Sequence, residues 1–141
     1  MTNPLAIYTD GSFKGHKGSW SFVVVEGDEV IHEASGSSIH MNSNQMEFQA
    51  AIEALKYIPP GIKATVYSDS RILVDTISIW VTEWKALGWV KKKNKQIFYL
   101  DQIKLLDELN QARDITWKWI PAHRGQVHNE RCDELCVKAR D

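Results

Sequence analysis

Two aspartates each close an apolar run in this chain. Tyr8-Thr9-Asp10 leads into Gly11-Ser12, and Tyr67-Ser68-Asp69 leads into Ser70. In open α/β sheets, ligands bind outside the carboxyl ends of the strands. If the two runs are neighbouring parallel strands, their carboxylates stand side by side at that edge. An aspartate at a strand end also caps a following turn, so each residue alone has two uses. Glu47 shares a helical face with Ala51, Ala54 and Ile58. A carboxylate on such a stripe is costly to bury unless it is paired or coordinates a metal. The competing use is a capping box, with Asn44 as N-cap and Glu47 three residues on. Asp133, in Asn129-Glu130-Arg131-Cys132-Asp133-Glu134-Leu135, is uninformative alone, because acids near a helix start complement the macrodipole. Gathered together, four carboxylates repel one another and call for a cation. Oxygen-only ligands select Mg²⁺ or Mn²⁺ over zinc, and two such ions roughly 3.5–4 Å apart make a phosphodiester hydrolase.

The elements that must position these groups are legible as hydrophobic patterns. Leu5–Asp10 reads as a strand ending in a polar turn at Gly11-Ser12. Trp20–Glu26 and Glu29–Ser35 flank Gly27-Asp28 as a hairpin. Asn44–Tyr57 has helical periodicity and stops before Pro59-Pro60-Gly61. Ala64–Ser68 is a short strand, Arg71–Ala86 a helix with a break in its middle, and Tyr99–Ala112 another helix. Ile115–Ile120 alternates as a strand, and Asn129–Lys138 closes the chain as a helix. The order βββαβααβα predicts an α/β fold with a mixed sheet, an antiparallel hairpin region followed by strands joined through helical crossovers.

Composition narrows the class. The 141 residues (16.1 kDa), 43% hydrophobic and 25% charged, suit one globular domain that buries its core without staples. No apolar run approaches the roughly 20 residues of a membrane helix, and the N-terminus lacks a signal-peptide pattern. Two cysteines, Cys132 and Cys136, exclude a disulfide framework and favour a reducing, cytoplasmic home. The formal net charge is −1, yet no acid lies between Glu83 and Asp101, where Lys85, Lys91, Lys92, Lys93 and Lys95 all fall. That +5 leaves −6 for the rest of the chain, a directed field suited to a polyanion. A solvated lysine loop is the plainer reading of the same residues.

Taken together, Tyr8-Thr9-Asp10-Gly11-Ser12, Met46-Glu47, Ser68-Asp69-Ser70 and the run from Asn129 to Leu135 resemble the four acidic motifs of the type 1 ribonuclease H family. The resemblance extends from about Leu5 to Ala139, in the family's order and spacing. It implies a ribonuclease H-like fold: a five-stranded mixed sheet with helices on both faces. It also implies Asp10, Glu47, Asp69 and Asp133 as the catalytic, metal-binding set for two Mg²⁺ ions, with Mn²⁺ as a substitute. The implied reaction is endonucleolytic hydrolysis of the RNA strand of RNA–DNA hybrids, leaving 5′-phosphate and 3′-hydroxyl ends. Trp80–Leu100 matches the family's basic protrusion, which grips the DNA strand, with Trp80, Trp84, Gly88 and Trp89 at the family's spacing. Trp80, Trp84, Lys85, Lys91, Lys92 and Lys93 are thus expected to touch substrate, the tryptophans with core packing as their other use. Gly11, Ser12 and Asn44 are expected to read 2′-hydroxyls.

His123, in Pro121-Ala122-His123-Arg124-Gly125-Gln126, stands where a family histidine assists proton transfer or product release; an ordinary surface-loop histidine is the alternative. The chain departs from the family's pattern at Asn42-Ser43-Asn44-Gln45, at Tyr99 in place of a phosphate-pocket asparagine, and at His16 and Arg71. His123, His128, Cys132 and Cys136 form a nominal zinc string, but those cysteines share a helix with Asp133, and small buried residues are their expected role. Two other classes compete: a non-catalytic nucleic-acid module, which needs no four acids, and a DNA-cutting enzyme of the same fold, which needs no protrusion. Monomeric action is expected, with no membrane and no obligate protein partner.

Overall fold

The structure, a computed structural model, describes residues 4–122 and 125–141. Five strands, β1 (Leu5–Lys14), β2 (Lys17–Glu26), β3 (Glu29–Ser38), β4 (Lys63–Ser68) and β5 (Asp114–Trp119), form one sheet in the order β3-β2-β1-β4-β5. β1, β2 and β3 are antiparallel neighbours, whereas β4 and β5 run parallel to β1. The helices are α1 (Ser43–Tyr57), α2 (Arg71–Asp75), α3 (Val81–Ala86), α4 (Leu100–Gln111) and α5 (Val127–Arg140). The mixed sheet expected from the element order is the one observed.

Alternation along the strands divides the core in two. Ile7, Phe22 and Val24 face α1, α2, α3 and α4 in the larger cluster. Their neighbours Ala6, Tyr8, Val23 and Val25 face the opposite way, onto Cys132 and Leu135 of α5. Helices therefore cover both faces. Phe22–Val25, apolar without a break, is the stretch buried on both sides.

Two differences from the sequence pattern bear on the site, each for a physical reason. Gly11 and Ser12 are not a turn, because β1 continues past Asp10 to Lys14, paired to β2 through Asp10↔Ser21, Gly11↔Trp20 and Ser12↔Ser19. The reversal comes later, at Gly15 with φ +68°. The parallel pairing of β1 with β4 does stop there, at Thr9↔Ser68, so Asp10 and Asp69 are the first residues beyond it. The α1 cap is Asn42, whose side chain accepts from the Gln45 N–H while the Gln45 side chain accepts from the Asn42 N–H. Asn44 is therefore not the N-cap, and Glu47 is released from the capping box. The break expected within 71–86 is a π-helical turn, Thr76–Trp80, joining α2 to α3.

Candidate active site

Asp10 and Asp69 meet where the β1–β4 pairing ends, and α1 lowers Glu47 onto them. The approach is close. A Cβ on Gly11 would lie 2.3 Å from the Glu47 backbone nitrogen and 2.5 Å from the Met46 carbonyl carbon, so only glycine lets the helix pass. One oxygen from each of Asp10, Glu47 and Asp69 falls within 4.8 Å of the others. Asp133 lines the same pocket of about 350 Å³, with Ser12, Ser43 and Asn129, but stands outside that 4.8 Å group. It arrives on α5, from the sheet face opposite α1.

α5 is pinned beneath the site. Ser21 Oγ donates to the Cys132 carbonyl at 2.7 Å, and Cys132 Sγ lies 3.3 Å from the Tyr8 carbonyl oxygen. Cys136 Sγ lies 3.3 Å from Ser21 Oγ and 3.6 Å from the Asp10 carbonyl oxygen. Arg131 grips Glu33 on β3 bidentately at 2.8 and 3.0 Å, which holds the Glu33 carboxyl below the usual carboxylate range. The two cysteines of the zinc string are buried, as expected of small packing residues, and its His123 lies outside the described residues. Both thiols point into the β1–β2 backbone, burial raises both, that of Cys136 to about 12, and no cysteine or histidine joins a metal-capable group among the described residues.

The electrostatics are those of charges forced together. Asp10 is pushed up to about 8, first by burial, then by Asp69 and Asp133; the Gly11 N–H and Arg140 pull the other way. Glu47 is raised by burial, then by Asp10 and Asp69. Its Oε1 is buried with no hydrogen-bond partner among the described residues. A buried carboxylate oxygen without a partner, beside two more carboxylates, lacks a cation's worth of compensation. An all-oxygen set of this size suits Mg²⁺ or Mn²⁺. The residues fit the metal that the fold implies.

The basic segment is a separate surface. Trp84 and Trp89 pack against the larger core cluster, whereas Trp80 remains 44% exposed, so packing and outward display are shared among the rings. Trp80, Trp84, Lys91 and Lys92 line a groove of about 420 Å³. Asn44 lies beside it, in a smaller pocket with Trp84 and Lys91, and not in the acid pocket. Lys85 is tied to buried Asp107 at 2.9 Å and Lys92 to Glu83 at 3.2 Å. Lys93 is exposed. His123 lies outside the described residues. The sequence pattern missed Ser43 and Asn129 in the acid pocket, and Arg140, whose Nη1 reaches Ser12 Oγ. Asn129 opens the last acidic motif and carries that much signal; a long-range reach such as that of Arg140 carries none.

No helix among the described residues is long and apolar enough to cross a membrane. A family model described as RNase H matches residues 2–141. A protein of Thermosynechococcus vestitus named Ribonuclease H is 39% identical over 138 residues, covering 94% of this chain and 86% of that relative. One of a Caulobacter species, also named Ribonuclease H, is 35% identical over 137 residues, covering 96% and 88%. Among solved structures, LC9-RNase H1, a type 1 RNase H with the type 2 active-site motif, superposes with TM-score 0.86 at 23% identity over 99% of this chain and 73% of that one. LC11-RNase H1, solved in complex with RNA/DNA hybrid, superposes with TM-score 0.74 at 22% identity over 97% and 96%.

Proposed function

The chain belongs to the RNase H family, whose members are endonucleolytic hydrolases, and from that premise we propose that it cleaves the RNA strand of RNA–DNA hybrids. The observation that carries this is the group formed by Asp10, Glu47 and Asp69, with three ligand oxygens within 4.8 Å and a Glu47 oxygen buried without a partner among the described residues. In our reading these three and Asp133 hold two Mg²⁺ ions, with Mn²⁺ as a substitute. When bound, such ions lower the pKa of an attacking water and stabilise charge on the phosphate.

The chain's own residues divide the remaining work. Gly11 seats α1 so that Glu47 faces Asp10, and its N–H favours the ionised form of both. Asp133 adds negative charge from across the pocket, deepening the preference for a cation there. His123 exchanges a proton with the leaving 3′-oxygen or speeds product departure, and the ends left are 5′-phosphate and 3′-hydroxyl. The Gly11 and Ser12 backbone reads 2′-hydroxyls at the pocket rim. Asn44 does so from the neighbouring pocket, which it shares with Trp84 and Lys91. Trp80 and the outward lysines meet the DNA strand. We place this activity in the cytoplasm, in a monomer.

Matched hybrid, RNA and DNA duplexes incubated with Mg²⁺ test the proposal. The expected result is cleavage of the hybrid's RNA strand, little cleavage of duplex RNA and none of duplex DNA. Comparable cutting of duplex DNA, or binding with no cutting at all, would overturn it.

A further inference from the structure

Tyr99 joins the basic protrusion to the helix that carries Glu47. It precedes α4 with φ +59°, a left-handed conformation that suits glycine and strains a bulky side chain. The backbone gives no reason for a tyrosine there, so the reason lies in the side chain. Its hydroxyl sits 2.8 Å from Asn42 Nδ2. The other end of that amide is committed, because Asn42 Oδ1 accepts the Gln45 N–H at 2.9 Å and caps α1. The oxygen faces the helix, so Nδ2 faces Tyr99 and the phenol oxygen accepts. One amide thereby both closes the first turn of α1 and reaches the end of the protrusion.

What that first turn carries makes the link consequential. Ser43 lines the acid pocket, Asn44 lines the pocket beside the lysine groove, and Glu47 follows one turn on. A second tie runs parallel to the first: Gln102 Nε2, on the first turn of α4, donates to the Gln45 carbonyl and to Gln49 Oε1, both at 3.1 Å. The Tyr99 ring rests near Phe48, with centroids 6.4 Å apart, so removing the hydroxyl leaves the packing in place. We infer that Tyr99 is a positioning residue: through Asn42 it sets the first turn of α1, and with it Glu47, relative to the protrusion that grips the substrate. The inference rests on the hydrolytic reading above.

A double-mutant cycle tests it. Tyr99→Phe deletes the hydroxyl alone; Asn42→Ser keeps an N-capping oxygen but removes the amide donor. Steady-state cleavage of a hybrid, melting temperature and amide exchange at Gln45 are read for the wild type, both single variants and the double variant. We expect Tyr99→Phe to lower kcat about 3–10-fold, the worth of one hydrogen bond, with KM and melting temperature nearly unchanged. Exchange at the Gln45 amide should quicken by a similar factor, and in the Asn42→Ser background the further change to Phe should do nothing. An equal kcat loss in both backgrounds would overturn the coupling. So would a rise in KM alone, which marks direct substrate contact, or a lowered melting temperature at full kcat, which marks a purely structural bond. A wild type that never cuts a hybrid would remove the parent reading as well, whereas a cutting wild type with a silent cycle removes this inference only.

Discussion

In the acid pocket, carboxylates spread between Asp10 and Asp133 in the chain converge, and on Asp10 the Gly11 N–H and Arg140 offset less than burial and the neighbouring acids impose. In the protrusion, several cations find partners close at hand. Lys85 meets Asp107, Lys92 meets Glu83, Lys91 Nζ sits 5.7 Å from the Trp84 ring centroid and 5.6 Å from that of Phe98, and Lys104 of α4 lies over Trp89. The backbone follows the same contrast. Among the described residues, every non-glycine with positive φ falls in the protrusion: Trp89, Lys93, Asn94 and Tyr99. Its strain is held by local contacts such as the Trp89 N–H to the Trp84 carbonyl at 2.7 Å. The pocket is an electrostatic deficit that an ion can fill. The protrusion is a preformed shape with much of its charge already engaged.

The sharpest way to break this comparison is to remove one acid. Asp10→Asn or Asp69→Asn should lower kcat on the order of 10³-fold or more, since each deletes a charged ligand where transition-state charge is stabilised. Circular dichroism should show the fold intact. Near-wild-type cleavage by a folded Asp10→Asn protein would end the metal assignment. A smaller loss is expected for His123→Ala: kcat falls on the order of 10²-fold, the low end for general acid–base assistance, while KM and the metal requirement change little. Unchanged kcat across neutral pH would return His123 to the role of an ordinary loop residue.

The same contrast explains what could be read from the chain. Asp10 and Asp69 were legible because each ends an apolar run, and Glu47 because it interrupts one. Asp133 was legible only in their company. The extension of β1 to Lys14 was not, because Gly11-Ser12 looks like turn chemistry until β2 supplies partners. The Asn42–Gln45 cap displaced the expected one because Gln45 at the third helical position closes the box, leaving Glu47 to face the acids. Local pattern also gave no sign that Lys85 is committed to Asp107, or that Asn42 reaches Tyr99, since both pairs join residues on separate elements.

Stability against pH sharpens the electrostatic half. Asp10 titrates near 8 in the folded, metal-free protein, against the ordinary 3.8. Between those values the folded state holds a proton that the unfolded chain has released. Stability of the metal-free protein therefore falls as pH rises through that window, and its full benefit is present only below it. With a chelator present, the melting temperature should be higher at pH 5 than at pH 8. Asp10→Asn should flatten that dependence and stabilise the protein at pH 8 by on the order of 1 kcal/mol, a gain of several degrees. Mg²⁺ should protect the wild type more at pH 8 than at pH 5, because at pH 8 the folded protein holds fewer protons for it to displace. A metal-free protein that melts higher at pH 8 would show that the carboxylates are not in conflict.

The smallest effects divide the lysines among themselves. Lys93 is exposed, Lys92 shares its charge with Glu83, and Lys85 is bound to a carboxylate that is only 6% exposed. A lysine that neutralises a phosphate releases a counterion, so its removal should shrink the salt slope of hybrid binding by about 0.9 per phosphate. Replacing Lys91, Lys92 and Lys93 together by alanine should shrink that slope by up to this amount for each phosphate no longer neutralised, with the deficit in KM rather than kcat. Lys93→Ala should account for the largest single share, because its charge has the least competition. Lys85→Ala should do the reverse. It strips Asp107 of its cationic partner, leaving the Gln111 amide, and costs on the order of 1 kcal/mol of stability, moderated by the solvent exposure of the lysine, yet leaves the slope nearly where it was. Filter binding across a series of salt concentrations, read beside thermal melts of the same variants, separates the two kinds of lysine. Equal slopes for Lys93→Ala and the wild type would leave the protrusion a shape without an electrostatic task. A slope change for Lys85→Ala would show that its bond to Asp107 opens when the substrate arrives.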